Sequence, residues 1–347
     1  MRYRVRGYRK VVERVNSSIA VGEPLPYTRV PVTHPASIGE ARRRLPEEFL
    51  EALYETFEQP LAERALRGMG AGRRTTVRVN RLRYDPRSMF AFLRREAVKH
   101  HRVLWYPDAF VLDGAREKDV ESWDLYRDGR IYLQSLSSMV PALALAPRPG
   151  DRVLDMAAAP GSKTTQMAAM MENRGLIVAN DADSIRVQRL EYNVRLQGCS
   201  IVQVRVGRGE RIDLPDSFDR VLVDAPCSGE GRFVVFQPAT TRAWSPRLVR
   251  ECARIQRRLL AAGAAALAPG GVLVYSTCTL NLEENERMVQ WALENLPLAV
   301  ERIPVSIPGS LAGIRRSCDP SLGLALRLLP DVEREGFFIC RMRKRRP

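Results

Sequence analysis

The sequence predicts an α/β fold: a parallel sheet covered on both faces by helices, preceded by a smaller α+β region. Three observations carry this. From about residue 130 onward, short apolar runs alternate with helical patterns, and near-continuous apolar strands of that kind belong in a parallel sheet buried on both sides. Upstream of that point the texture differs, with one alternating strand-like run set among amphipathic helical stretches. The length, 347 residues, exceeds one average domain and is ample for a large core.

Taken in order, residues 1–36 read as a basic arm followed by a linker. The arm opens "RYRVRGYRK", and "VGEPLPYTRVPVTHPA" (21–36) holds four prolines. Residues 37–127 form the small α+β region. In "LPEEFLEALYETF", Phe49, Leu50, Leu53 and Phe57 share one helical stripe. In "TTVRVNRLRY", Val77 and Val79 face one side and Arg78 and Asn80 the other. "SMFAFLRREAV" reads as a helix and "AFVLDG" as a short strand. Residues 128–347 carry the large sheet. Its strands are expected at 151–158, 175–181, 200–206, 218–225 and 270–278, with helices near 161–172, 184–197, 246–268 and 283–296. "GFFICRMR" (336–343) reads as a last, antiparallel strand.

Composition narrows the class. The net charge is +15, and only five of the 55 basic residues are lysine. Guanidinium forks grip phosphate bidentately and stack on bases, so the excess points to a nucleic-acid partner, with both basic termini and the small α+β region as its grips. No apolar run reaches about 18 residues, so no transmembrane helix is expected, and the N-terminus lacks the apolar core of a signal peptide. The six cysteines are isolated, with no CxxC pair and no metal-like spacing to the three histidines. That excludes a zinc module and a disulfide framework and points to a reducing cytoplasm.

In an open α/β sheet, ligands bind outside the carboxyl ends of the strands. After the first large-domain strand comes "DMAAAPGSKTTQ", a turn of small residues opening a helix. Its backbone can approach a ligand closely, but it is neither GxGxxG nor a Walker loop. Asp181 ends the next strand, where an acid accepts hydrogen bonds from ribose hydroxyls. Asp183 is the better plain helix cap. After the fourth and fifth strands come "DAPCSGEG" and "YSTCTLNLEENE". Those strands are expected to be neighbours, so Cys227 and Cys278 would face one cleft. Cys199, Cys252, Cys318 and Cys340 lack such settings and read as structural thiols. Spacing alone does not assign roles to Cys227 and Cys278.

Together, "DMAAAPGSKT", "DAPCSGEG" and "YSTCTLNLEENE" resemble the RNA cytosine-C5 methyltransferases of the Sun/Fmu (RsmB/RsmF, NSUN-like) type. The resemblance runs from about 45 to 343 and takes in "RVN" (78–80), "YLQSLSSMVPALAL", Trp244 of "WSP" and "GFF". It implies a Rossmann-like fold that binds S-adenosylmethionine and an RNA substrate, tRNA or rRNA, handled by a cytoplasmic monomer. Ala157, Ala158, Ala159, Pro160, Gly161, Ser162 and Lys163 would wrap the methionine end of the cofactor. Asp181 would hold the ribose with Arg186 beside it, and Asp224 would sit between cofactor and target base. The resemblance makes Cys278 the nucleophile and Cys227 the thiol of product release; Lys163, at the start of the helix after the first large-domain strand, is expected to reach the same pocket and assist Asp224. In one respect the chain departs from the pattern. An acid expected near the adenine amino group is replaced by Gly207, Arg208 and Gly209, leaving Glu210 or a backbone carbonyl to serve.

Overall fold

The computed structural model describes residues 35–315 and 319–346. The expected basic arm, most of the proline-rich linker and Cys318 lie outside the described residues.

Among the described residues three helices come first: α1 (Ile38–Arg44), α2 (Glu47–Thr56) and α3 (Gln59–Met69). The stripe on α2 is buried through Phe49, Leu53 and the capping Phe57, while Leu50 is half-buried. This face packs against Phe233, Val235, Leu280 and Leu329, which belong to the large sheet's loops. Contact is close enough to require glycine at one point: a Cβ on Gly68 of α3 would lie 1.8 Å from the Pro330 carbonyl oxygen.

A small antiparallel sheet follows, built from β1 (Thr75–Val79), β2 (Lys99–Arg102), β3 (Ala109–Asp113) and β4 (Ile131–Leu133) in the order β2-β3-β1-β4. Its last strand lies beyond the boundary at 127 drawn from the sequence. Val77 and Val79 pack with Met89 and Leu93 of α4 (Pro86–Arg95). Short helices α5 (Glu117–Glu121) and α6 (Asp124–Arg127) close this unit.

The large sheet has nine strands. Helix α7 (Leu136–Leu145) precedes β5 (Arg152–Asp155), α8 (Ser162–Met170), β6 (Leu176–Asp181), α9 (Ser184–Leu196), β7 (Val202–Val206), β8 (Phe218–Asp224), α10 (Pro246–Ala266) and β9 (Leu267–Thr277). Then come α11 (Glu286–Asn295), β10 (Leu298–Glu301), β11 (Leu311–Ala312), β12 (Leu326–Leu328) and β13 (Phe337–Lys344). The order is β11-β12-β13-β9-β8-β5-β6-β7, parallel from β9 to β7, with β13 antiparallel to β9. The five expected strands and the antiparallel closing strand are all present; β10, β11 and β12 are short additions at the far edge.

Alternation along each strand builds two cores. Val221 and Val223 of β8 and Leu273 of β9 meet Ile255, Leu259 and Leu260 of α10 on one face. Leu222, Val272 and Val274 meet Val140, Met167 and Leu190 on the other. The main helices are capped as their sequences suggest: Ser245 accepts the Leu248 N–H at 3.2 Å and Asp183 the Ile185 N–H at 2.8 Å. With Asp183 as the cap, Asp181 is released from that duty.

Candidate active site

The cleft opens at the carboxyl ends of β5, β6, β8 and β9. At the β5 end, Asp155 is buried and takes the Thr164 hydroxyl on Oδ2 at 2.7 Å, while its Oδ1 has no hydrogen-bond partner among the described residues. Burial pushes this carboxyl up to about 7. The turn that follows lies against the β6 end: the Ala158 N–H donates to the Asn180 carbonyl at 2.8 Å. Gly161 has φ 105, and a Cβ there would lie 2.9 Å from Leu190 Cδ1, so only glycine turns the chain into α8 this close to α9. Asp181 is buried. It accepts N–H groups from Ala159 at 3.1 Å and Asp183 at 3.2 Å, and faces the Arg186 guanidinium at 3.4 Å. Burial raises its pKa, against the pull of Arg186. Arg186 also donates to the Ala159 carbonyl at 2.6 Å, tying turn and acid together.

On the other side of the cleft, register determines what meets. Asp224 of β8 pairs with Ser276 of β9, so Cys227 and Cys278 leave neighbouring strands at one level. Their sulfurs lie 3.3 Å apart. Cys227 is buried and Cys278 is partly open. The hydrogen bond between them raises the Cys227 pKa and lowers that of Cys278; for Cys278, burial opposes the shift and the Arg232 charge adds to it. The two sulfurs are in hydrogen-bond contact, with the Cys227 thiol pushed up and the Cys278 thiol pulled down. Asp224 accepts the Ser276 hydroxyl at 2.7 Å and pairs with Lys163 at 2.7 Å. Lys163 also donates to Ser138 at 2.9 Å and lies 5.6 Å from the Phe337 ring centroid.

All the site residues expected from the sequence fall along this cleft edge. Ala157, Ala158, Ala159, Pro160, Gly161 and Ser162 form the turn, with Pro160 exposed and the others buried or half-buried. Lys163 joins the turn to the cysteine side. Glu210 pairs with Arg208, whose Nε donates to its Oε1 at 2.9 Å. Cys199, Cys252 and Cys340 are buried, and burial raises all three thiols. Among the described residues, no cluster of His, Cys, Asp or Glu has the makings of a metal site. No described helix is long and apolar enough to cross a membrane.

Sequence reasoning missed Ser138, Ser276, Arg232 and Arg78. Arg78 is fully buried on the side of β1 that faces the large sheet. It donates to the Ser162 carbonyl at 2.6 Å and the Thr165 hydroxyl at 2.9 Å, and lies 5.2 Å from the Tyr132 ring centroid. Its neighbour Asn80 donates to the Gly129 and Gln197 carbonyls, each at 2.8 Å. "RVN" is thus a clamp between the small sheet and the turn. The alternation of β1 had put Arg78 and Asn80 on one side without revealing what that side touches.

The fit to S-adenosylmethionine rests on these groups. The turn offers backbone at close range, buried Asp181 offers carboxylate oxygens, and Asp155 Oδ1 is an unpartnered buried acceptor for a donor on the ligand.

The family model described as 16S rRNA methyltransferase RsmB/F matches residues 142–343. Ribosomal RNA small subunit methyltransferase F of Cronobacter sakazakii is 39% identical over 312 residues, covering 86% of this chain and 63% of that protein. Its namesake in Klebsiella pneumoniae is 40% identical over 280 residues, covering 78% of this chain and 57% of that one. The chain thus spans less than two thirds of the length of these relatives. Among solved structures, a methyltransferase homolog protein from Pyrococcus horikoshii is 32% identical with TM-score 0.77, covering 90% of this chain and 99% of that one. NSun6 from Pyrococcus horikoshii, solved with SFG, is 23% identical with TM-score 0.77, covering 88% and 100%, a likeness of fold.

Proposed function

This chain belongs to the 16S rRNA methyltransferase RsmB/F family, and from that premise we propose that it transfers a methyl group from S-adenosylmethionine to carbon 5 of a cytosine in RNA through a covalent cysteine adduct. The observation that carries the reading is the pair of sulfurs 3.3 Å apart, one driven toward thiolate and the other toward thiol. Ribosomal RNA is the favoured substrate because relatives 39% and 40% identical to this chain are named for it.

Carbon 5 of cytosine is a poor nucleophile. Attack on carbon 6 by a thiolate turns carbons 4 and 5 into an enamine, and sulfur is the side-chain atom best suited to that attack. Cys278 is that sulfur, being the lowered and more open thiol. The ring gains negative charge, which a proton on N3 relieves. Asp224, held by Ser276, relays that proton to N3 from the Lys163 ammonium 2.7 Å away. S-adenosylmethionine supplies the electrophilic methyl group. Residues 157–163, Asp181 and Arg186 hold that ligand. As the C5 proton passes to solvent water and the N3 proton returns through Asp224 to Lys163, the C5–C6 double bond re-forms and the C6–S bond breaks, releasing the Cys278 thiolate. The Cys227 thiol then caps the departing Cys278 thiolate. The target base must leave its stack to enter the cleft, which suits an unpaired or splayed cytosine.

Incubation with methyl-labelled S-adenosylmethionine and either small-subunit rRNA or bulk tRNA, followed by digestion to nucleosides, tests the reading. Labelled 5-methylcytidine from rRNA is the expected product; label on another nucleoside, or none, overturns the chemistry, and label from tRNA alone overturns the choice of substrate. Asp181→Ala is expected to weaken S-adenosylmethionine binding by about 10- to 100-fold, the worth of hydrogen bonds to a charged group. Titration calorimetry reads this directly, and an unchanged Kd removes Asp181 from the binding site.

A further inference from the structure

Behind the two cysteines lies a buried polar cluster to which the reaction gives no part. It is built by two consecutive residues, Glu284 and Asn285, both fully buried. Glu284 accepts the Ser228 N–H at 2.9 Å and the Ser228 hydroxyl. It also accepts the Gln256 amide at 2.9 Å, and that same amide donates to the Pro226 carbonyl at 2.9 Å. One carboxylate thereby fixes the residues on both sides of Cys227. Asn285 does the equivalent for Cys278. Its Oδ1 accepts the Thr277 hydroxyl at 2.6 Å and its Nδ2 donates to the Thr279 carbonyl at 3.1 Å. The two halves are joined where the Ser228 and Thr279 hydroxyls meet at 2.8 Å. Nothing in this cluster is open to solvent. A buried carboxylate is costly to keep, and burial with the nearby Glu230 charge pushes Glu284 up to about 8.

We propose that Glu284 and Asn285 are positioning residues that set the separation of the two sulfurs, Glu284 by holding the Cys227 loop and Asn285 by holding the Cys278 loop. The division of labour rests on the methyl-transfer reading given above; the separation itself does not. Loss of the Glu284 clamp withdraws the hydrogen bond that Cys227 gives to Cys278, so it impairs release. Loss of the Asn285 clamp moves the attacking sulfur, so it impairs adduct formation.

The test compares Glu284→Leu, Glu284→Gln and Asn285→Ala. The glutamine amide oxygen can keep the Ser228 N–H and Gln256 contacts while its nitrogen donates to the Ser228 hydroxyl, so Glu284→Gln is the conservative control. With RNA and S-adenosylmethionine, Glu284→Leu is expected to accumulate SDS-stable protein–RNA adduct while turnover falls about 10- to 100-fold, the size expected of a small misplacement of reacting groups. Asn285→Ala is expected to lose turnover without accumulating adduct, and Glu284→Gln to stay within a few-fold of wild type. With the protein alone, iodoacetamide labelling of Cys278 against pH is expected to shift to higher pH in Glu284→Leu but not in Glu284→Gln. If Glu284→Leu folds and keeps the wild-type labelling profile, the clamp is wrong, whatever the reaction proves to be. If Glu284→Leu and Glu284→Gln lose activity equally with no shift in labelling, the role is general stability and the proposal also falls. If the labelling shifts but the wild type makes no 5-methylcytidine, the clamp stands and the methyl-transfer reading falls. Should Glu284→Leu fail to fold, Ser228→Ala removes the hydroxyl contact and Gln256→Ala the amide contact to Glu284, each leaving the Ser228 N–H bond in place, and both carry the same expectations in weaker form.

Discussion

Cys278→Ala is expected to abolish methyl transfer, by about 10⁴-fold or more, and to form no adduct, whereas Cys227→Ala is expected to leave the protein covalently joined to its RNA. The asymmetry follows from the resting state of the pair. Cys278 is drawn toward thiolate by the Cys227 hydrogen bond, with Arg232 adding to the effect, and it is the more exposed of the two. It can therefore attack. Cys227 keeps its proton, sits deeper, and lies 3.3 Å from the sulfur that must later depart. Without it, attack is slower because Cys278 loses that hydrogen bond, but methyl transfer still follows attack and the leaving thiolate has no donor, so adduct accumulates. Denaturing gel electrophoresis with labelled RNA reads the adduct, and retained S-adenosylmethionine binding shows that each variant is folded. An adduct trapped by Cys278→Ala would reverse the two assignments.

Asp224→Asn is expected to lower kcat by about 10²- to 10⁴-fold, the usual range for removing an acid–base group, with little change in cofactor affinity. An amide cannot relay the Lys163 proton to N3, so adduct formation itself slows. That separates this variant from Cys227→Ala, in which adduct accumulates. Lys163→Met is expected to fall in the same range. Because Lys163 and Asp224 touch at 2.7 Å, the double variant should cost little more than either single one. A rate for Asp224→Asn within threefold of wild type would rule out its role in proton delivery.

Much of this was legible before any coordinates. The parallel strands could be read because burial on both faces leaves an unbroken apolar run, and the two cysteines could be placed together because both follow adjacent strands at one level. What stayed hidden has physical causes. Helix α7 is apolar on nearly every side, since Leu136, Met139, Val140, Ala142 and Leu145 are all buried, and so it shows no stripe. Strands β10, β11 and β12 are two to four residues long and sit at an edge, too short for a period to register. Ser138, which meets Lys163, and Arg232, which acts on Cys278, are partners only through folding, and no sequence spacing announces them. The alternation of β1 placed Arg78 opposite Val77 and Val79, but its burial against the α8 turn depends on a second sheet arriving there.

Strand β13 has a bearing on when this chain becomes competent. Phe337, at its start, stands over Lys163, and Gly336 lies so close to Gly231 of the Cys227 loop that the Gly336 N–H donates to the Gly231 carbonyl at 2.8 Å. β13 is also the partner of β9, the strand that carries Cys278. A growing chain therefore holds both cysteine loops, the cofactor turn and every acid of the cleft while β9 is still a bare edge. At about 5–20 residues per second the 59 residues from Cys278 to Phe337 take roughly 3–12 s to make. Among the described strands of the sheet, β13 is thus the last to be made, and it closes the edge of β9 beside Cys278.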